Sequence, residues 1–289
     1  MKYLHYFLAL CISSAAYSQN ASNTDIWGYT LKEKKGKLSL SDEVRLTNRP
    51  GYDNQPTFYR EDFLLYTSEF DGQTDIMVLD IYEGAKMNLT KSAESEYSAQ
   101  IIGNYDTFGA VRVGKDGKQR LWIFHTNGQA PPEQVLFDAE PVGYFAWNSK
   151  NDILAFVLGQ PITLVKGNAN EVDDIIVTSK AGRTLRVIPE TNDFAFERTE
   201  EDGSQVIYRL YEETDEFRKV RTKPEGANDW TITQEGTYIT SVGTKLFKYN
   251  PENDEDWIEF ADLGEKAAKG ITRMAVNQNN KRLAVVINN

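Results

Sequence analysis

The sequence predicts an all-β fold, a six-bladed β-propeller built as a ring of four-stranded blades. Three observations carry this reading. A strand-rich unit of about 40–47 residues recurs along the chain, the length of one four-stranded blade. Asp-Gly hairpin signals fall at the same place in three of the units. The two chain ends each supply half of one further unit.

Residues 1–18 stand outside the repeat. Met1-Lys2 makes a short positive start, Leu4 to Ile12 is almost wholly apolar, and Ala16-Tyr17-Ser18 puts small residues where a signal peptidase reads. This pattern predicts a secretory signal cleaved after Ser18. The apolar run is too short to span a bilayer. Lipidation would need Cys11, but Leu10 stands where a small residue is expected. Residues 19–289 are then expected to form a single propeller domain, with no cysteine and one histidine, His125. Export without cysteine fits a bacterial periplasm or cell surface.

The next unit, residues 52–90, reads YDNQPTF, FLLYTSEF, a turn at Asp71-Gly72, TDIMVLDIY and KMNLT. Residues 97–137 repeat the order around Asp116-Gly117, and residues 182–220 repeat it around Asp202-Gly203. Asp-Gly between alternating runs signals a type I′ hairpin, because both central residues need positive φ and Gly adopts it without strain. Residues 143–177 and 227–263 keep the strand order without the Asp-Gly, turning near Gly159-Gln160-Pro161 and Gly243. Runs of Val, Ile, Leu, Tyr, Phe and Trp broken by Gly or charge are strand chemistry. A short helical turn is expected in 263–269, where helix formers cluster.

The ends supply the sixth blade. The C-terminus holds ITRMAV and RLAVVINN, two strands with no third or fourth. Asp25-Ile26-Trp27 matches the third-strand text Asp75-Ile76-Met77, and Val44-Arg45-Leu46-Thr47 matches the fourth-strand text Met87-Asn88-Leu89-Thr90. Joining the halves gives a two-plus-two closure and removes exposed sheet edges.

Tyr52-Asp53-Asn54-Gln55-Pro56-Thr57-Phe58, then Tyr66-Thr67-Ser68, Asp71-Gly72, Asp75-Ile76 and Leu89-Thr90, resemble the TolB-like repeat, also called the WD40-like or PD40 repeat. The resemblance covers nearly all of residues 19–289 and is strongest over 41–136. It implies the propeller fold. It does not imply one function, since the scaffold hosts binding proteins, peptidase gating domains and lyases. TolB itself carries a further N-terminal domain, whereas these repeats begin about ten residues after the expected cleavage site, and the usual Ser-Pro-Asp-Gly is replaced by Tyr59-Arg60-Glu61-Asp62.

In a propeller the first strand of each blade lines the central channel. The residues at its start are Tyr52, Asp53 and Gln55, then Tyr97, Tyr144, Arg183, Asp229 and Trp230, and Arg273. Tyr and Trp offer rigid area with a polar tip, and Arg a planar fork of donors. These nine are the candidate site at one channel mouth. The alternative reading of Asp53 is plain turn chemistry before Pro56.

Catalytic signals are thin. One histidine, following Trp122-Ile123-Phe124 on a third strand, makes no Ser-His-Asp set. Oligogalacturonate lyases share this kind of fold but rely on several histidines. A lactonase-like Ca²⁺ or Mg²⁺ site would use channel carboxylates and an Asn, for which Asp53, Asp229 and Asn228 are the candidates. No cofactor is expected otherwise. Asp71-Gly72-Gln73-Thr74-Asp75 lacks the ligand series of a calcium loop and reads as a hairpin. With 43 Asp+Glu against 32 Lys+Arg, net charge −11, the chain repels phosphate backbones and anionic lipid. The expected role is a monomeric, non-enzymatic exported propeller. Its expected partner is an envelope protein, a peptide segment, or a small ligand or glycan. The alternative is a metal-dependent or carbohydrate-active enzyme.

Overall fold

The computed structural model describes residues 23–103, 105–128 and 130–289. The expected export signal and Cys11 lie outside them. The described residues form six four-stranded antiparallel sheets arranged as the blades of a β-propeller. Blades 1 to 5 occupy residues 53–88, 95–134, 142–179, 181–222 and 230–262, each in simple meander order. The expected short helical turn is a 3₁₀ helix at Gly264–Ala267.

Blade 6 is the composite read from the two ends. Ile271–Val276 and Arg282–Asn288 supply its first and second strands, and Thr24–Lys34 and Lys37–Arg45 its third and fourth. Ile26 pairs with Val286 and Gly28 with Ala284 across the join. The matching sequence text also forms matching contacts. Asp25 accepts from Thr47 Oγ1 at 3.1 Å and pairs with Arg45, while Thr47 Oγ1 accepts from the Ile26 amide at 2.9 Å. In blade 1, Asp75 accepts from Thr90 Oγ1 at 3.1 Å and Asn88 Nδ2 at 2.7 Å, and Thr90 Oγ1 accepts from the Ile76 amide at 3.0 Å. The repeated Asp-Ile and Leu-Thr therefore latch third strand to fourth. A buried Asp needs such donors to offset its lost hydration.

The period-2 alternation of each strand explains the core. Leu64 and Tyr66 face blade 6, while Leu65 between them faces blade 2. Met77 and Leu79 follow the first pair, Ile76 and Val78 the second. Six such clusters fill the six spaces between neighbouring blades. Because both faces of a blade are covered, its second and third strands read as nearly unbroken apolar runs rather than clean alternation.

The turns differ from expectation in two places. Asp71 and Gly72 both have positive φ, 53° and 81°, and Phe70 pairs directly with Gln73, as a type I′ hairpin requires. At the other two Asp-Gly sites only the glycine is left-handed, Gly117 at 75° and Gly203 at 85°. There the Asp side chain instead accepts the amide two residues on, at Lys118 (3.1 Å) and Ser204 (2.9 Å). These longer loops close with an Asx turn, a use of Asp that the same two letters equally encode.

One buried carboxyl sets a pH dependence. Glu96 is wholly buried, receives Ser92 Oγ at 2.5 Å and Arg112 Nε at 3.3 Å on Oε1, and has no partner on Oε2. Burial pushes its carboxyl up to about 7, against the pull of Ser92, Thr90 and Arg112. Its folded value thus lies above the ordinary 4.5. The native state holds the extra proton in that window, so stability should fall as pH rises from about 4.5 to 7 and then level off. Thermal melts of wild type should show this decline, and Glu96→Gln should flatten it. Equal slopes in the two proteins would remove Glu96 as the cause.

Candidate binding site at the channel mouth

The first strands converge on the ring axis and enclose a narrow cavity of about 40 Å³. That is room for one or a few waters. Every blade contributes to its wall: Gln55, Ser98, Tyr144, Arg183 with Arg186, Asp229, and Arg273. Five of the first strands carry a register shift, between Asn54/Thr57, Tyr97/Gln100, Val142/Tyr144, Ala181/Leu185 and Ile271/Arg273. An extra residue in a strand bends it and re-aims its side chains. At Gln55 and Ser98 the shift comes with φ of 54° and 58°.

Of the nine expected residues, Gln55, Tyr144, Arg183, Asp229 and Arg273 line this cavity, and Tyr52 lies within electrostatic reach of Arg273, Tyr144, Tyr97 and Arg183. Arg273 lies over the Tyr144 ring, 5.1 Å from its centroid. Arg183 and Arg273 both donate to the Thr272 carbonyl, at 3.1 and 3.2 Å. Burial pushes the Tyr52 phenol above its ordinary value, while Arg273 and Arg183 pull it down and Tyr144 and Tyr97 stand close enough to add to the rise. Gln55 reaches the channel but is half committed: its Oε1 accepts from Thr67 Oγ1 and the Ser98 amide, both at 2.8 Å, stitching blade 1 to blade 2.

Asp53, Asp229 and Trp230 do further work. Asp53 is buried and held by Arg49, whose Nε and Nη2 lie 3.1 and 2.9 Å from Oδ1, with Ser68 Oγ at 2.5 Å. Asp229 is a staple between three blades, accepting Thr184 Oγ1 at 2.7 Å and the Met274 amide at 2.8 Å. Trp230 is not at the mouth. It is fully buried against Tyr238 in the core between blades 4 and 5, and its indole donates to Glu197 at 3.1 Å. One residue of strand parity separates a channel wall from that core. Asn228, the third metal candidate, donates its amide to the Ile271 carbonyl at 3.2 Å. The three candidates for cation binding are thus each engaged by separate protein partners. Among the described residues no group of His, Cys, Asp and Glu is placed to hold a metal. His125 pairs with Thr107 between the second and third strands of blade 2 and is not among the residues lining the cavity.

Arg186 is the site residue the sequence reading missed. Its Nη2 donates to the Met274 carbonyl at 3.2 Å and lies 3.5 Å from Asp229, and burial together with Arg273 pulls its guanidinium below its ordinary value. The signal was present as Arg183-Thr-Leu-Arg186, a spacing that points to opposite faces of a regular strand. The bulge between Ala181 and Leu185 changes that parity.

The fold and the channel define a six-bladed β-propeller. No family model matches the sequence, and neither does any curated protein. Solved structures match in fold. A protein described as TolB from Agrobacterium tumefaciens superposes with a TM-score of 0.70 at 10% identity, covering 93% of this chain and 99% of that one. A gluconolactonase from Xanthomonas campestris gives 0.64 at 8% identity, covering 90% and 95%. A chain of a nidogen/laminin complex gives 0.61 at 8% identity, covering 91% and 98%. At such identities the likeness is one of fold. Among the described residues no helix is long and apolar enough to cross a membrane.

Proposed function

We propose that this protein is an exported, non-enzymatic propeller of the periplasm or cell surface that binds a protein segment or small ligand at one mouth of its channel. The observation that carries this reading is the convergence of Tyr144, Arg183 and Arg273 on the wall of a single opening. Rigid aromatics and arginines dominate the binding energy of recognition surfaces because they bury large area with few rotors lost. The nidogen/laminin complex and the TolB-like fold support a binding role for this architecture. The gluconolactonase likeness supports the enzyme alternative at the level of fold alone. Against that alternative, Asp229 spends both its oxygens on Thr184 and the Met274 amide, and Asp53 holds Arg49 and Ser68 on Oδ1.

Peptides selected from a random library on the wild-type protein test the site. Binding should fall by about tenfold or more in Tyr144→Ala/Arg273→Ala, the loss expected of about 1.4 kcal/mol or more at a hot spot. Undiminished binding of every selected peptide by the double variant would count against the mouth.

A further inference from the structure

We propose that the channel mouth is a receptor for carboxylate, and that its ligand is an acidic peptide segment; this rests on the binding reading above. The chain as a whole carries net charge −11, yet this opening is lined by Arg183, Arg186 and Arg273 with Asp229 as the acid on its wall. Asp229 is spoken for by Arg186, Thr184 and the Met274 amide.

Arg183 and Arg273 are unlike most arginines of the ring. Arg49, Arg112, Arg120, Arg198, Arg209 and Arg282, for instance, each pair with a carboxylate. Arg183 and Arg273 instead converge on one backbone carbonyl, that of Thr272. Two guanidinium heads sharing a single neutral acceptor repel each other, and each keeps donors unspent. A carboxylate placed between them would relieve the repulsion and accept a fork of hydrogen bonds from each, the geometry for which Arg is suited.

Size selects the kind of ligand. At about 40 Å³ the cavity is narrow, and a single carboxylate at the end of an Asp or Glu side chain, or at a chain terminus, can enter it. Tyr144, on the wall with Arg273 over its ring, adds aromatic area beside the arginines. The surrounding negative field also filters partners. It repels polyanions at distance, so the mouth should favour short acidic segments over long ones.

The test uses the full chain and three defined probes: an N-acetylated Gly-Glu-Asp-Glu-Asp peptide, its C-amidated Gln/Asn isostere, and trigalacturonate. Calorimetry gives affinities, and the Arg side-chain Nε signals in NMR report the place of binding. The acidic peptide should bind about tenfold to hundredfold more tightly than the isostere, the range of charge-assisted bonds. It should shift the Arg183 and Arg273 signals and lose that advantage in Arg183→Gln/Arg273→Gln, with an unchanged melting temperature confirming the fold. Equal affinity for the acidic and neutral peptides would overturn the carboxylate preference while leaving a binding mouth intact. Tighter binding of trigalacturonate at the same arginines would overturn the peptide assignment. Binding of the acidic peptide that leaves both arginine signals unmoved would overturn the site, and library peptides indifferent to the Tyr144/Arg273 change would independently remove the underlying reading.

Discussion

Deleting residues 23–47 is expected to abolish cooperative folding, and supplying the same residues as a separate peptide should restore it. The deletion removes the third and fourth strands of blade 6 and leaves the edge of Arg282–Asn288 bare. It also strips Ile26 and Leu46 from the core shared with blade 1, and Tyr29, Leu31 and Leu38 from the core shared with blade 5. Each buried side chain of this size contributes about 1.5–3 kcal/mol, against a whole-domain stability of about 5–15 kcal/mol. Two adjoining interfaces would fail together, because a ring transmits the loss to both neighbours of the damaged blade. A single-site version is Asp25→Ala, which leaves Arg45, Thr47 Oγ1 and Asn289 Nδ2 without their shared acceptor. Circular dichroism and urea titration of the truncated chain, with and without the peptide, give the readout. A truncated chain that melts as sharply and as high as wild type would mean the ring is not closed by this join.

Replacing Lys223 with Met should be the most damaging single change in the ring. Lys223 is 1% exposed and Glu197 8%. The ammonium donates to Glu197 Oε2 and to the Asn228 carbonyl, both at 2.6 Å, and the Trp230 indole donates to the same carboxylate oxygen. A buried carboxylate deprived of its cation costs about 3–5 kcal/mol, because water cannot reach it to compensate. For a chain of this size that corresponds to a fall in melting temperature on the order of 10 °C. Adding Glu197→Gln should recover most of the loss, since an amide oxygen still accepts from Trp230 and no charge is left behind. Gly182 shows how tightly the carboxylate is seated: a Cβ there would come within 2.2 Å of Glu197 Cγ. If Lys223→Met melted within 2 °C of wild type, with that threshold set at roughly 1 kcal/mol, the ion pair would be dispensable. A double variant no better than the single would place the cost in lost packing of the lysine stem instead.

Much of this architecture was legible because its cause is local and repeated. Asp25 and Asp75 take the same partners because the chain repeats the same letters at third and fourth strands, so matching the text also matched the contacts. The closing join was readable because strands without mates must find them. Less was legible at the mouth. Tyr144 and Arg273 meet as their places in the repeat imply, but Trp230 turns into the core and Arg186 turns into the channel. Both reversals come down to one residue of strand parity. At Arg186 a bulge changes that parity without leaving a mark in hydrophobic pattern, whereas Trp230 lies in a strand without a register shift, and plain alternation turns it away from its neighbour Asp229.

The amino-acid sequence by itself determined the blade, its repetition and the way the ring is shut, since alternation, turn residues and strand count are properties of short stretches and of their order. Only the tertiary structure decided which side chains face the axis, and that Arg183 and Arg273 share one carbonyl rather than each holding an acid. Those residues lie 90 positions apart in the numbering and on separate blades. Their encounter is fixed by ring closure and by bulges in five strands, quantities to which no local pattern of residues is sensitive.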